Sequence, residues 1–243
     1  MKKILVLLLG ASMTLLTGCF DIVEEVFLNK DGSGKYHITM DMSGLFTDPM
    51  MKGMMEQTLR EQAGGDAQLA LEKDSVIYFK DLPEAAELSG EDKKTLENML
   101  IRMTMSESKK QMLIRIEYDF KKIDDINKMN KVLAKVGADQ QLGGGMPGGG
   151  LMSGEAANFS WKKGLLKRLP VEIKAPAEMD ENMEMMKMFL GSANYKTIYH
   201  LPGKAKKVTI PNATVDGNTV TVENGMLEVM DGKAKLDGEI KFK

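Results

Sequence analysis

The chain has 243 residues, of which 43% are hydrophobic and 28% are charged, and these proportions are typical of soluble globular proteins. They argue against a polytopic membrane protein, and a formal net charge of −2 gives no general reason to expect nucleic-acid binding. One cysteine excludes an intramolecular disulfide, and two histidines exclude a His-rich metal cage.

The N-terminal segment has the features of a signal peptide. Lys2 and Lys3 precede a 13-residue apolar run over residues 4–16, which is too short to span a bilayer as a helix. The run ends in Leu16, Thr17, Gly18 and Cys19, which resembles the bacterial lipobox. The resemblance implies cleavage after Gly18 and acylation of Cys19.

Acylation would attach the protein to a membrane. Each buried methylene contributes about 0.8 kcal/mol, so two or three acyl chains anchor a protein almost permanently. Loss of residues 1–18 removes Lys2 and Lys3 and changes the formal charge from −2 to −4. We therefore expect a lipoprotein of the bacterial cell envelope, with the periplasmic face of the outer membrane favoured. The alternative is an ordinary secreted protein with a chance cysteine.

Strict alternation of apolar and polar residues predicts β-strands along the chain. The clearest alternating strands cover residues 36–42, 99–105, 112–120 and 234–242, and shorter strands are expected at 22–28, 75–80, 158–163, 195–201 and 219–223. Turn residues at Lys30–Gly34 and Asp216–Asn218 predict two hairpins. One polar and one apolar face on each strand favours an antiparallel sheet.

Three segments carry apolar residues at helical spacing. They are residues 48–62, 123–136 and 178–190, the last followed by Gly191, which can stop a helix. Their apolar stripes should pack on the apolar face of the sheet, which predicts an α+β fold.

A glycine-rich run at 143–150 interrupts this order. Such a run is flexible and cannot pack a core, so it could separate two domains. The first half alone would leave open strands, and we therefore favour a single domain over residues 19–243 with a flexible excursion at about 137–157.

No catalytic motif is found. Only His37 and His200 could serve as a base for a serine nucleophile, and no serine lies in a Gly-x-Ser-x-Gly elbow. The Lys30–Gly34 turn lacks the pattern of a phosphate-binding or calcium loop. We therefore expect a non-catalytic protein without cofactor or metal.

Basic residues could form a patch against anionic headgroups, although an ordinary solvated surface is the favoured interpretation. They are Lys162, Lys163, Lys167, Arg168, Lys204, Lys206 and Lys207.

Methionine is unusually abundant, with 22 residues. Five of them on two predicted helices form a candidate apolar ligand surface: Met51, Met54, Met55, Met183 and Met186. Plain core packing, an adaptable groove for a lipid or partner, and thioether binding of Cu(I) are all compatible with this pattern, and copper has the least support.

Three segments resemble LppM-type envelope lipoproteins. They are the Asp31–Gly34 turn soon after the lipobox, His200–Lys204 (His-Leu-Pro-Gly-Lys), and Asn212–Val222 with its Gly-Asn-Thr-Val sequence. The resemblance implies a lipidated cysteine before a non-catalytic α+β domain that binds lipids or glycolipids, and it supplies no catalytic residue. The rival hypothesis is a structural or interaction lipoprotein that docks a protein partner through the polar face of its sheet.

Overall fold

The computed structural model describes residues 20–50, 52–53, 56–57, 72–86, 88–138, 157–170 and 190–243. In this part of the chain the strands are β1 (Asp21–Leu28), β2 (Gly34–Asp41), β3 (Glu72–Tyr78), β4 (Leu100–Ser106), β5 (Gln111–Phe120), β6 (Asn158–Lys162), β7 (Leu165–Leu169), β8 (Asn194–His200), β9 (Ala205–Val208), β10 (Ala213–Asp216), β11 (Thr219–Gly225) and β12 (Gly238–Phe242). The helices are α1 (Pro83–Ala86), α2 (Gly90–Leu96), α3 (Asp124–Ala138) and α4 (Met226–Met230).

The described strands form two sheets. The larger has the order β10-β11-β8-β1-β2-β5-β4-β3, and the smaller has the order β6-β7-β12-β9. The expected antiparallel pairing is confirmed except between β1 and β8, which are parallel and start together at Asp21 and Asn194. The fold class is α+β, as the sequence predicts.

The core lies on one face of the larger sheet. Val26, Tyr36 and Tyr199 point to this face from neighbouring strands, and Phe159 and Leu166 of the smaller sheet pack against the same cluster. Helix α3 completes it with a buried apolar stripe at Ile126, Met129 and Leu133. The stripe was predicted from helical spacing, and its position on the apolar face is confirmed.

Several element boundaries differ from the sequence expectation. The last strand begins at Gly238 rather than at residue 234, since residues 231–237 form turns and irregular backbone before it. Strands β7 and β9 were not predicted, because the Leu-Leu-Lys-Arg-Leu sequence of β7 does not alternate strictly and the four residues of β9 are too few to establish a period. For β10, only the hairpin turn that follows it was predicted. The short helices α1, α2 and α4 were also missed.

The remaining sequence expectations fall partly on residues that the structure does not describe. The helix predicted over 48–62 is helical at residues 49–50, 52–53 and 56–57, and in the segment 178–190 only Leu190 is described, where it is helical and buried. Residues 137–138 belong to α3 and Ala157 is buried, so the ends of the expected excursion are ordered, while 139–156 lie outside the described residues. The single-domain organisation stays a prediction.

The first hairpin is confirmed in detail. Asn29 N–H donates to the carbonyl of Ser33 at 2.8 Å, and the Ser33 hydroxyl donates to the Asp31 carboxylate at 2.7 Å. Gly32 has φ +87°, a left-handed conformation that suits glycine, and its α-carbon lies against the ring of Trp161. The turn therefore brings the tip of the larger sheet against the smaller one.

Candidate functional site

A buried polar cluster joins the two sheets. Glu24 of β1 is fully buried, and its carboxylate lies 2.6 Å from the guanidinium of Arg168 on β7. The same carboxylate accepts hydrogen bonds from the hydroxyls of Tyr36, Tyr195 and Thr197, at 2.9, 2.7 and 3.0 Å. With Tyr199, whose hydroxyl lies 3.2 Å from Arg168, these six residues are called the buried polar cluster.

Burial and charge fix the protonation of this cluster. Burial raises the pKa of Tyr199 to about 12, and burial together with Glu24 raises the pKa of Tyr36 well above its usual value. Burial opposes the charge of Arg168, but the Glu24 carboxylate and the tyrosine hydroxyls outweigh this effect and hold the pKa of Arg168 well above its usual value. The hydroxyls of Tyr36 and Tyr199 therefore stay protonated across the physiological pH range; that of Tyr36 donates to Glu24, and that of Tyr199 accepts from Arg168.

The chemistry of this cluster is structural. A carboxylate with four donors and a guanidinium with several acceptors has little capacity left for a substrate, and both side chains are sealed from solvent. Phe159 and Tyr195 also lie 5.7 and 6.0 Å from the Arg168 guanidinium. Both sequence interpretations of Arg168, the favoured solvated surface and the alternative basic patch, are wrong, because its side chain crosses into the core to pair with Glu24.

A second feature is an open pocket at one end of the molecule, where the first hairpin, the β6–β7 turn and the last strand converge. Its volume is about 610 Å³. It is lined by Lys30, Trp161, Lys163, Gly164, Pro202, Gly203, Lys206, Lys241, Phe242 and Lys243 and is called the lysine pocket.

Main-chain hydrogen bonds fix the shape of the lysine pocket. Phe242 N–H donates to the carbonyl of Gly164 at 3.0 Å, which ties the last strand to the β6–β7 turn. Lys243 N–H donates to the carbonyl of Lys204 at 3.1 Å. Gly203 lies directly against the Lys243 main chain, where a β-carbon would overlap the backbone. The walls are therefore built on hydrogen-bonded backbone.

The charged side chains that line the lysine pocket are all of one sign. Five of its ten lining residues are lysines and none is acidic. In the described part of the chain none of these five lysines forms an ion pair. The pKa of the Glu239 carboxyl is lowered by its hydrogen bond with Lys167 and by the nearby charge of Lys241. Trp161, Pro202 and Phe242 supply apolar walls beside the cations. Such a site can hold a molecule that is anionic at one end and apolar at the other.

The sequence analysis found part of this pocket. Of the residues considered for a basic patch, Lys163 and Lys206 line the pocket, whereas Lys167 pairs with Glu239 at 2.5 Å. Lys162, Lys204 and Lys207 are exposed and lie outside its wall.

Sequence reasoning missed Lys30, Trp161, Pro202, Lys241, Phe242 and Lys243. No local pattern marks them, because they come from separate turns and strand ends. The sequence does contain a sign of the buried polar cluster. Glu24 lies between Ile22 and Val26 among the alternate residues of β1 that point to the core, where an apolar side chain is expected.

The other predicted site residues cannot be placed. Cys19, the lipobox residues Leu16, Thr17 and Gly18, and the methionines at 51, 54, 55, 183 and 186 all lie outside the described residues. Among the described residues, no group of three His, Cys, Asp or Glu side chains could hold a metal ion. None of the described helices combines the length and apolar character needed to cross a bilayer.

The two histidines lie on the opposite face of the larger sheet, on either side of Phe27. The rings of Phe27 and His200 are stacked with their centroids 4.2 Å apart, and His200 Nε2 lies 3.2 Å from a Glu25 oxygen. The ring of His37 lies 5.2 Å from that of Phe27 and is half-buried, and its burial lowers its pKa.

Comparison with known proteins gives one structural likeness. No family model and no curated protein sequence matches the chain significantly. The fold is similar to the NMR structure of the folded domain of the LppM protein from Mycobacterium tuberculosis, with a TM-score of 0.39 and 7% sequence identity, over 92% of this chain and 90% of that one.

Proposed function

We propose that this chain is a lipid-anchored, non-catalytic protein of the bacterial envelope that binds an amphipathic lipid or glycolipid in the lysine pocket. The observation that carries the proposal is the pocket itself, whose lining combines apolar side chains with five lysines. Its volume of about 610 Å³ falls within the range of small-molecule sites, roughly 300–1,000 Å³.

The apolar walls supply affinity for the hydrocarbon part of the ligand. Trp161 and Pro202, which are both partly exposed, offer apolar surface to the ligand, and burial of apolar area contributes about 25 cal/mol per Å². Because the backbone behind these residues is hydrogen-bonded, the site is formed before a ligand arrives, and little ordering cost opposes binding.

The position of the anchor supports the same function. Cys19 directly precedes Phe20, which is completely buried, and β1 starts at Asp21. Acylation would therefore join the lipid to the folded body without a flexible tether. Lys30 follows the far end of β1, and the eight residues of this strand span about 25 Å at 3.3 Å per residue. The pocket is thus separated from the attachment point by the length of the strand.

The anchor is tested by Cys19→Ser. We expect the variant to remain unprocessed and to lose acylation, so that it is mislocalised relative to the parent. Detergent phase partitioning and intact-mass measurement read out both effects. A variant that is processed and partitions like the parent would show that Cys19 is not the acylation site.

Binding is tested through Trp161, which is the only tryptophan in the sequence and lines the pocket. Titration of the lipidated protein with a short-chain amphiphile should change the intrinsic tryptophan fluorescence in a saturable way. Pro202→Ser, at a partly exposed residue of the pocket wall, should weaken the response, whereas Val76→Ser, at an exposed residue on β3, should not. A flat or non-saturable response would exclude the pocket as a ligand site.

One observation favours the rival function as a docking lipoprotein. Val76 and Tyr78 on the edge strand β3 are 44% and 46% exposed and lie on the face opposite the core. Apolar residues at a sheet edge can bind a protein partner. If Val76→Ser with Tyr78→Ser disrupts cross-linking to an envelope protein in cells while amphiphile binding is absent, the docking function replaces the first.

A further inference from the structure

We propose that the lysine pocket selects ligands whose polar end carries a phosphate-class anionic group, which the lysine ammonium groups hold while the apolar part contacts Trp161 and Pro202. This inference rests on the proposed function, since it names the class of ligand that the same pocket takes.

The first argument is the contrast with other lysines. Elsewhere in the described chain some lysines have a carboxylate beside them on the same sheet, as Lys35 has Asp119 and Lys196 has Glu223. The sequence has 35 acidic residues for 33 basic ones, so carboxylates are available as partners. The pocket wall is therefore unusual in composition, because it contains five lysines and no acidic residue.

The second argument is electrostatic. Like charges gathered at one concave site raise the local positive potential and attract anions. Lysine is well suited to the task, since its ammonium group is a point charge with three donors that binds phosphate without a fixed geometry.

The third argument is convergence. Lys30 follows β1, Lys163 lies in the β6–β7 turn, Lys206 is on β9 and Lys241 is on β12. Lysines scattered on a solvated surface need not share a concavity, whereas these reach one pocket from four separate segments. The shared chemistry is an anionic phosphate-class group, either on a lipid headgroup or as a free ion.

The test uses the lipidated protein in phosphatidylcholine nanodiscs, with Trp161 fluorescence as the readout. Three probes separate the contributions: dihexanoyl phosphatidic acid, dihexanoylglycerol with the same chains but no charge, and inorganic phosphate. We expect phosphatidic acid to bind at least tenfold more tightly than either of the other two. Raising the salt concentration should weaken phosphatidic acid binding and leave dihexanoylglycerol binding unchanged.

Charge reversal supplies the matched control. Lys163→Glu combined with Lys206→Glu should lower the affinity for phosphatidic acid at least tenfold and leave the affinity for dihexanoylglycerol nearly unchanged. Lys162→Glu with Lys207→Glu makes the same change in net charge at the adjacent residues outside the pocket wall, and it should have little effect. Circular dichroism and the melting temperature of both variants verify that they fold.

The outcomes distinguish the inference from the function on which it rests. Equal affinity for phosphatidic acid and dihexanoylglycerol would overturn anion selection and leave the amphiphile-binding function standing. Inorganic phosphate binding as tightly as phosphatidic acid would support the anion site and overturn the amphiphile-binding function. Failure of all three probes to bind would overturn both, and equal losses in the two double variants would overturn the assignment to the pocket.

Discussion

The buried polar cluster and the lysine pocket both gather charged side chains from distant segments, but they satisfy those charges differently. Inside the cluster the Arg168 guanidinium pairs with the Glu24 carboxylate at 2.6 Å, and tyrosine and threonine hydroxyls complete the shell. In the pocket, lysines lie beside apolar walls with no acidic residue in the lining. Charge that is completely paired inside the protein stabilises the fold, whereas charge of one sign around an open cavity is available to a ligand.

The two regions also differ in how much stability is lost when one charged side chain is removed. A buried ion loses its partner when one member of the pair is deleted, and it cannot regain water. A lysine at the rim of an open pocket is already hydrated, so its removal should leave the fold intact. The predictions below run from the largest expected effect on stability to the smallest.

The largest loss of stability is expected for Arg168→Met. The substitution retains an unbranched apolar side chain but leaves the Glu24 carboxylate buried without its cation, which should cost about 3–5 kcal/mol of unfolding free energy. Urea denaturation followed by circular dichroism measures it.

A second substitution in this background separates charge from packing. Adding Glu24→Gln to Arg168→Met should recover part of the loss, because no net charge remains buried. The surface control is Lys167→Met, at a half-exposed neighbour paired with Glu239, and it should cost much less. If Arg168→Met were as stable as this control, the cluster would not be the link between the sheets.

An intermediate effect is expected from pH through His37. Its burial lowers its pKa below about 6.5, so the unfolded chain binds more protons than the folded one between the two pKa values. Stability should therefore be complete above about pH 6.5 and decrease as the pH falls toward the folded-state pKa. In His37→Gln, the melting temperature should depend less on pH in that window, and an unchanged profile would remove His37 as the cause.

The smallest effect on stability is expected in the pocket. Lys163→Met and Lys206→Met should each change the unfolding free energy by no more than about 0.5 kcal/mol, since surface substitutions away from partnered charges have small effects. Thermal denaturation without ligand gives the comparison with Arg168→Met. A loss above about 2 kcal/mol at either lysine would mean that the pocket charges are structural after all.

The two regions also differ in how far the sequence reveals them. Glu24 interrupts the apolar phase of β1, and Arg168 shares the phase of Leu166, which is buried in β7. Such breaks in an alternating pattern indicate that a buried polar residue needs a partner. They do not identify that partner, because these two residues lie 144 positions apart in the chain.

For the pocket the sequence shows only an excess of lysines. Lys163 and Lys206 belong to the residues considered for a basic patch, but nothing in the sequence distinguishes them from Lys162 and Lys207, their neighbours outside the pocket wall. Strand ends and turns carry no periodic signal, so the direction of a side chain there depends on how the segments dock. The position of the Trp161 ring depends on its contact with Gly32, which belongs to a hairpin distant in the sequence.

By itself the sequence determined the α+β class, most strands, the first and last hairpin turns and helix α3, because alternation, turn chemistry and helical spacing are local properties of the chain. Only the tertiary structure decided the parallel pairing of β1 with β8, the Glu24–Arg168 link and the convergence of lysines on one pocket. These features depend on which distant segments bury their apolar faces together. That choice is made by the packing free energy of the whole chain, which no short stretch of sequence contains.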